Sequence, residues 1–255
     1  MKLIDIHNHL GFSASDEIGQ TAEELLGKMD RQDVDISVVF PSDEQERSES
    51  YRLPNDKIIE AVRKYPKRLI GLARVNPLEE CAADEVKRCL DEGLKGIKLH
   101  PTTERFHPAK LRPVLEDVLA AGYAPVVLFH SYHTPGAKPG LWKSIIRDFS
   151  RTTFIIGHAG RDDARIAVEL TRTFPNAYLE ISTNSFNRVN MIIRGTQNFP
   201  SAPIDKILYG SDCPYERPSD NVDKVMKACE TYEEREMIYF KNAEYILFGK
   251  PRDRD

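Results

Sequence analysis

His7 and His9 stand two residues apart in the run Asp5-Ile6-His7-Asn8-His9, and His100, His130, His158 and Asp212 follow at long intervals. In an extended strand, side chains at i and i+2 leave the same face, so the two imidazoles of such a pair can reach one ion. His130 and Asp212 can complete a shell of three histidines and one carboxylate. That donor set suits zinc, with manganese, iron or cobalt as substitutes. An ion so held lowers the pKa of a coordinated water to about 7, so the chemistry in view is attack by an activated water. A histidine pair alone is a weak signal. Its weight here depends on whether the chain places the other residues beside it.

The elements that must do this are legible as apolar runs at 3–7, 36–40, 69–75, 96–99, 125–130, 153–157, 177–181 and 206–209. They predict eight strands, apolar on both faces, as in a parallel sheet covered by helices. Between them lie helical stripes. Ala22, Leu25, Leu26 and Met29 follow a Thr21/Glu24 capping box, and Ile58, Ile59, Val62 and Tyr65 are stopped by Pro66. Leu111, Val114, Leu115, Val118 and Leu119 precede a capping Gly122. Eight βα units in 255 residues predict an α/β fold, a (β/α)8 TIM barrel in a single domain over residues 1–255. The rival open sheet lacks its phosphate-binding GxGxxG after the first strand. The polar stretch 42–52 is expected to be a long loop over the mouth, and a last helix over 233–248, behind a Thr231/Glu234 box, to close the barrel.

In this fold catalytic groups come from the C-terminal strand ends. His7 and His9 are expected to end strand 1, and His100, His130 and His158 to end strands 4, 5 and 6, with Asp212 just past strand 8. Five of the seven histidines thus fall at such ends. The chain has 36 Lys+Arg against 40 Asp+Glu, a net charge of −4. This argues against nucleic acid as the main ligand, because phosphate binding draws on clustered cations. No apolar run approaches the roughly 20 residues of a membrane span, and the four cysteines form no CxxC pair. A soluble cytoplasmic protein with reduced thiols and a small-molecule substrate is expected.

The runs Asp5-Ile6-His7-Asn8-His9, Gly96-Ile97-Lys98-Leu99-His100-Pro101, Phe129-His130, Ile156-Gly157-His158-Ala159-Gly160, Gly210-Ser211-Asp212-Cys213-Pro214 and Asn242-Ala243 resemble the amidohydrolase superfamily over essentially the whole chain. The resemblance is closest to the amidohydrolase-related branch, which holds metal-dependent hydrolases, lactonases and decarboxylases of the aminocarboxymuconate semialdehyde type. It implies a distorted barrel with one divalent ion, zinc or a substitute such as Mn2+. It makes His7, His9, His130 and Asp212 the ligands and leaves Asp212 and His158 as the catalytic acid/base pair. Lys98 and His100 would bind substrate, although a carboxylated Lys98 bridging two ions stays open within the superfamily. Arg74 is a candidate for gripping a substrate carboxylate, or else a salt bridge between loops.

The expected activity is hydrolysis of an amide, lactone or ester-like bond in a small carboxylate-bearing substrate. The alternative is non-hydrolytic decarboxylation at the same site. Glu180 is read as a residue that orients a ligand, His133 as a rim residue, His107 as a surface or capping residue, and Cys213 as packing. Trp142 is expected on a helix covering the barrel. The fold's habits are compatible with a homo-oligomer.

Overall fold

The structure, a computed structural model, describes residues 1–42 and 51–251; most of the loop expected at 42–52 lies outside them. The strands are β1 (Ile4–Ser13), β2 (Ile18–Gln20), β3 (Ile36–Pro41), β4 (Leu69–Gly71), β5 (Ala73–Arg74), β6 (Gly96–Leu99), β7 (Val126–Phe129), β8 (Thr153–Ile156), β9 (Ala177–Glu180) and β10 (Ile207–Leu208). All pairings between consecutive barrel strands are parallel, in the orders β1-β3-β4 and β5-β6-β7-β8-β9-β10. Strands β4 and β5 are one predicted strand interrupted at Leu72, whose amide still donates to Val39 O at 2.9 Å. At the other seam the Ile6 amide donates to Tyr209 O (3.1 Å), the Asp212 amide to His7 O (2.9 Å) and the His9 amide to Cys213 O (2.8 Å). These bonds join the first strand to the last and close a distorted (β/α)8 barrel.

Residues on alternate strand faces fill two layers. Ile4, Ile6, Val38, Phe40, Ile70, Leu72, Val126, Leu128, Ile155, Tyr178 and Leu208 pack inside the barrel, while Val39, Ile97, Leu99, Val127, Phe129 and Leu179 pack outward against the helices. The helices are amphipathic as their stripes require. In α1 (Ala22–Arg31), Leu25 and Met29 are buried and Thr21 and Glu24 form the expected capping box. In α2 (Arg52–Lys64), Ile58, Ile59 and Ala61 face the sheet. Then come α3 (Ala82–Asp91) and α4 (Leu111–Ala120), after which Gly122 takes a left-handed φ of 92°. Trp142 ends a 3-10 turn, Pro139–Trp142, and stacks on Phe129 at 3.9 Å, so it belongs to the packed shell rather than the mouth. The remaining helices are α5 (Lys143–Asp148), α6 (Ala164–Thr173), α7 (Phe186–Arg194), α8 (Pro218–Ala228), α9 (Tyr232–Glu236) and α10 (Asn242–Phe248). Among the described residues no helix is long and apolar enough to cross a membrane.

Two expectations change. Strand β1 does not end at His9 but runs to Ser13, because its last residues pair antiparallel with β2 in a hairpin. The closing helix is not continuous: between α9 and α10 the segment Met237–Lys241 is a π-helix, and Ile238 O accepts the amide of Tyr209 at the end of β10. That widened turn presents a carbonyl to the amide that follows β10.

Gly96 shows how tightly the strands approach. A Cβ there would lie 1.9 Å from the Val126 carbonyl oxygen, a backbone atom that cannot move aside. Gly96→Ala is therefore expected to lower stability by about 3 kcal/mol or more, read from the midpoint of urea unfolding; an unchanged midpoint would contradict this packing.

Candidate metal centre

The facing of the histidine pair is decided by one irregularity in β1. Ile4 and Ile6 point into the barrel, so plain alternation would send Asn8 inward after them. Instead the pairing with β3 shifts: Asp5 is opposite Ser37 and Asn8 opposite Val39, three residues against two. This bulge flips the parity of the strand. His7 and His9 now face inward, with His9 opposite the inward Phe40, while Asn8 turns outward to donate to Val38 O.

The bulge brings the pair to Asp212. Its Oδ1 lies 3.2 Å from His7 Nε2 and 3.1 Å from His9 Nε2, and one ligating atom from each of the three lies within 4.8 Å of the others. Asp212 itself adopts a left-handed φ of 68°, held by its amide bond to His7 O. Burial pushes its carboxyl up to about 8, against the opposing charge of Lys98. His7 is fully buried, and burial, with the neighbouring Lys98 charge, holds its pKa well below the usual imidazole value.

Glu180, fully buried on β9, sets the polarity of these rings. Its Oε1 accepts from His7 Nδ1 (2.8 Å), from the His158 amide and from Ser182 Oγ (3.0 Å), and its Oε2 from the Ser182 amide (2.7 Å). A carboxylate has no proton to give, so His7 carries its proton on Nδ1 and presents a lone pair at Nε2. The same argument runs outward through His158. Ser182 Oγ donates to Glu180 and so accepts from His158 Nδ1 (2.8 Å); His158 Nε2 then accepts from His130 Nδ1 (3.0 Å), which leaves His130 with its own lone pair at Nε2. Burial keeps His130 and His158 neutral, well below the usual imidazole pKa. The lone pairs left on His7 and His130, with Asp212 Oδ1 and His9 Nε2 beside them, are the donor set of a cation site, and these residues fit a divalent ion. Part of that place is taken by the ammonium of Lys98, whose Nζ donates to His7 Nε2 at 2.8 Å and lies 4.5 Å from the Phe40 ring centroid.

The other residues marked in the sequence are placed as follows. His130 stands one ring further out than His7, His9 and Asp212, joined to them through His158. His100 stacks on His130 at 4.0 Å, its Nδ1 engaged by the Thr103 hydroxyl. Arg74 is buried and meets Glu104 through both Nε (2.9 Å) and Nη2 (2.7 Å), the salt bridge between loops that its position also allowed. His133 is exposed near Asp162, His107 caps a 3-10 turn by accepting from the Ala109 amide, and Cys213 is buried with the Lys28 ammonium and Gln20 carbonyl near its sulfur. Ser182, Thr183, Glu104 and Arg161 were not singled out by sequence. Only the parity break from Ile4 and Ile6 to His7 and His9 could have revealed the bulge.

Metal content tests the site. His7→Ala, His9→Ala and Asp212→Ala should each lose a zinc ion on dialysis against a mild chelator, whereas His158→Ala should retain it. Glu180→Gln should weaken zinc affinity by about 10- to 100-fold, because Nδ1 of His7 loses its carboxylate, as measured by competition with a chromophoric chelator. Full zinc retention in His9→Ala would contradict the grouping.

The Amidohydrolase family model matches residues 4–248. No curated protein matches the sequence significantly. Among solved structures the chain is similar to 5-carboxyvanillate decarboxylase from Sphingomonas paucimobilis, at 16% identity over 96% of this chain and 98% of that one, with a TM-score of 0.72. It is similar to 2,6-dihydroxybenzoate decarboxylase from Rhizobium, at 16% identity over 96% and 98%, TM-score 0.72. It is also similar to 4-oxalomesaconate hydratase from Rhodopseudomonas palustris, at 16% identity over 96% and 95%, TM-score 0.65. At such identities the likeness shows the shared barrel. The family model, matched from the first barrel strand to the last helix, shows the rest: the chain belongs to the amidohydrolase family and is an enzyme of that superfamily.

Proposed function

We propose that this enzyme is a metal-dependent hydrolase that cleaves an amide, lactone or ester-like bond in a small carboxylate-bearing substrate. The carrying observation is the meeting of Asp212 Oδ1 with the Nε2 atoms of His7 and His9. These three residues would hold the ion, with His130 as the fourth ligand through the Nε2 that its bond to His158 leaves open. One ion, zinc by the softness of imidazole donors, would supply Lewis acidity and lower the pKa of water at the site.

Asp212 is suited to proton transfer because its carboxyl faces His7 and His9, where the ion and its water would sit. It would take the proton of the attacking water and return it to the leaving group. His158, with its proton on Nδ1, would accept a hydrogen bond from the attacking water through Nε2. To do so its Nε2 must exchange His130 for the reacting species, and the Ser182 and Thr183 hydroxyls at Nδ1 (2.8 and 3.1 Å) hold the ring while it does. Lys98 and His100, both inward at the end of β6, would bind substrate oxygens.

A second reading has one specific observation in its favour. The Lys98 ammonium is buried directly against His7, where it would pair with a substrate carboxylate, as decarboxylation requires. The barrels of similar shape named above include two decarboxylases. The two readings separate by isotope. Zinc-loaded protein is incubated in H2 18O with amides, lactones and aromatic or unsaturated carboxylic acids, and product mass and CO2 are followed. Hydrolysis places one 18O in the newly formed carboxyl group and gives no CO2. Release of CO2 without 18O in the organic product would overturn the hydrolase reading in favour of decarboxylation.

A further inference from the structure

Among the described residues, Arg74 and Arg161 are arginines at the barrel mouth that could meet an anionic substrate, and their surroundings differ. Arg74 is cancelled by Glu104, which also accepts the Tyr51 hydroxyl at 2.7 Å. Arg161 is not cancelled. It is partly buried, and among the described residues no carboxylate lies within 4.0 Å of its guanidinium. One Nη1 proton goes to Thr183 O at 2.6 Å, and the guanidinium carbon lies 5.3 Å from the Tyr132 ring centroid. The rest of its fork makes no hydrogen bond to a described residue.

Three features aim this side chain at the site. Arg161 follows His158 on one turn in which His158, Ala159, Gly160 and Arg161 all have positive φ, of 53°, 48°, 80° and 49°. Left-handed backbone costs about 1–2 kcal/mol at each non-glycine residue, so the turn persists only because neighbours hold it. The His158 amide is held by Glu180 and its carbonyl by Asn184 Nδ2 at 2.9 Å. The two groups that bracket the guanidinium come from the loops on either side of His158: Tyr132, whose ring is 6.2 Å from that of His130, and Thr183, whose hydroxyl touches His158. The Arg161 charge also reaches Asp212, where it opposes the upward push of burial on the carboxyl.

We propose that Arg161 anchors a carboxylate of the substrate, in a bidentate pair above the Tyr132 ring, while the reacting group of the same molecule lies at His7, His9 and Asp212. The substrate is then a small acid whose carboxylate is separated from its reacting bond, and two-ended dicarboxylates are its simplest mimics. A planar fork on an aromatic face is the arrangement that recognises a carboxylate with fixed orientation. The assignment rests on the metal-site reading for the second end of the molecule. It does not depend on whether that end is hydrolysed or decarboxylated.

The test is calorimetric titration of zinc-loaded protein with isophthalate, benzoate and benzyl alcohol, none of which carries an amide, lactone or ester bond. The wild type should bind isophthalate at least tenfold more tightly than benzoate, and benzyl alcohol more weakly than either. Arg161→Met should weaken isophthalate by tenfold or more and erase its advantage over benzoate, with zinc content and Tm unchanged. Arg161→Lys, which keeps the charge and loses the fork, should lose three- to tenfold, and stands as the deciding variant if Arg161→Met fails to fold. Equal isophthalate binding by wild type and both variants, or no preference of the wild type for the dicarboxylate, would overturn the proposal. Isotope results against hydrolysis leave these titrations unaffected, so the two readings fail separately.

Discussion

Everything at the mouth of this barrel depends on one buried carboxylate. Glu180 sits at the end of β9 with no exposure, and four donors converge on it: an imidazole, two amides and a hydroxyl. Removing such a charge from water is costly unless nearly every lone pair is met, and here the partners do so. In return the carboxylate fixes the tautomer of His7, holds the strained turn that carries His158 and Arg161, and orients Ser182 toward His158. Gly210, just past the neighbouring strand β10, is part of the same device. A Cβ there would come within 2.6 Å of Glu180 Oε2 and 3.1 Å of His7 Cβ, so the glycine is the space in which the pair sits.

The gross plan of this arrangement was open to reading in the residues. Parallel strands buried on both faces must be apolar throughout, and a strand's last residue faces the mouth, so His130 and His158 declared themselves against their apolar runs. The capping boxes at Thr21 and Thr231 form as their spacing requires. What could not be read were choices made between distant segments. The bulge in β1 depends on how that strand registers with β3, the hairpin to β2 on a turn with no strong glycine signature, and the pairing of Arg74 with Glu104 on a loop after β6 that folds back over β5. The π-turn before α10 depends on Tyr209 needing an acceptor. None of these leaves a periodicity, because each is a single contact rather than a repeated pattern.

The contrast between Arg74 and Arg161 shows why residue type alone misplaces a substrate contact. Arg74, near the end of a predicted strand, is the one that sequence marks, whereas Arg161 lies on the turn that follows β8. Yet a guanidinium with both Nε and Nη2 on one carboxylate, buried to 1% exposure, serves to hold loops together. Glu104 also accepts the His100 amide at 3.0 Å, so this pair supports the ring stack of His100 on His130 from behind. It acts on the site through position, whereas Arg161 acts through charge.

The closure of the barrel and the assembly of the ligand set are the same event. His7 and His9 come from the first strand and Asp212 from the loop after the last, and the three hydrogen bonds that join those segments run between Ile6 and Cys213. Asp5, on the outer face of the same seam, accepts the amides of His7 (3.2 Å) and Ser211 (2.9 Å), and burial pushes its carboxyl up to about 7. The terminal helical segment adds its own bolt below, where Ile238 O takes the Tyr209 amide and Asn242 Nδ2 donates to Ile207 O at 2.7 Å. An ion shared by His7, His9 and Asp212 would therefore tie the two ends of the barrel wall together as well as do chemistry. Its binding energy would act on the one seam where strand β10, only two residues long, contributes least sheet of its own.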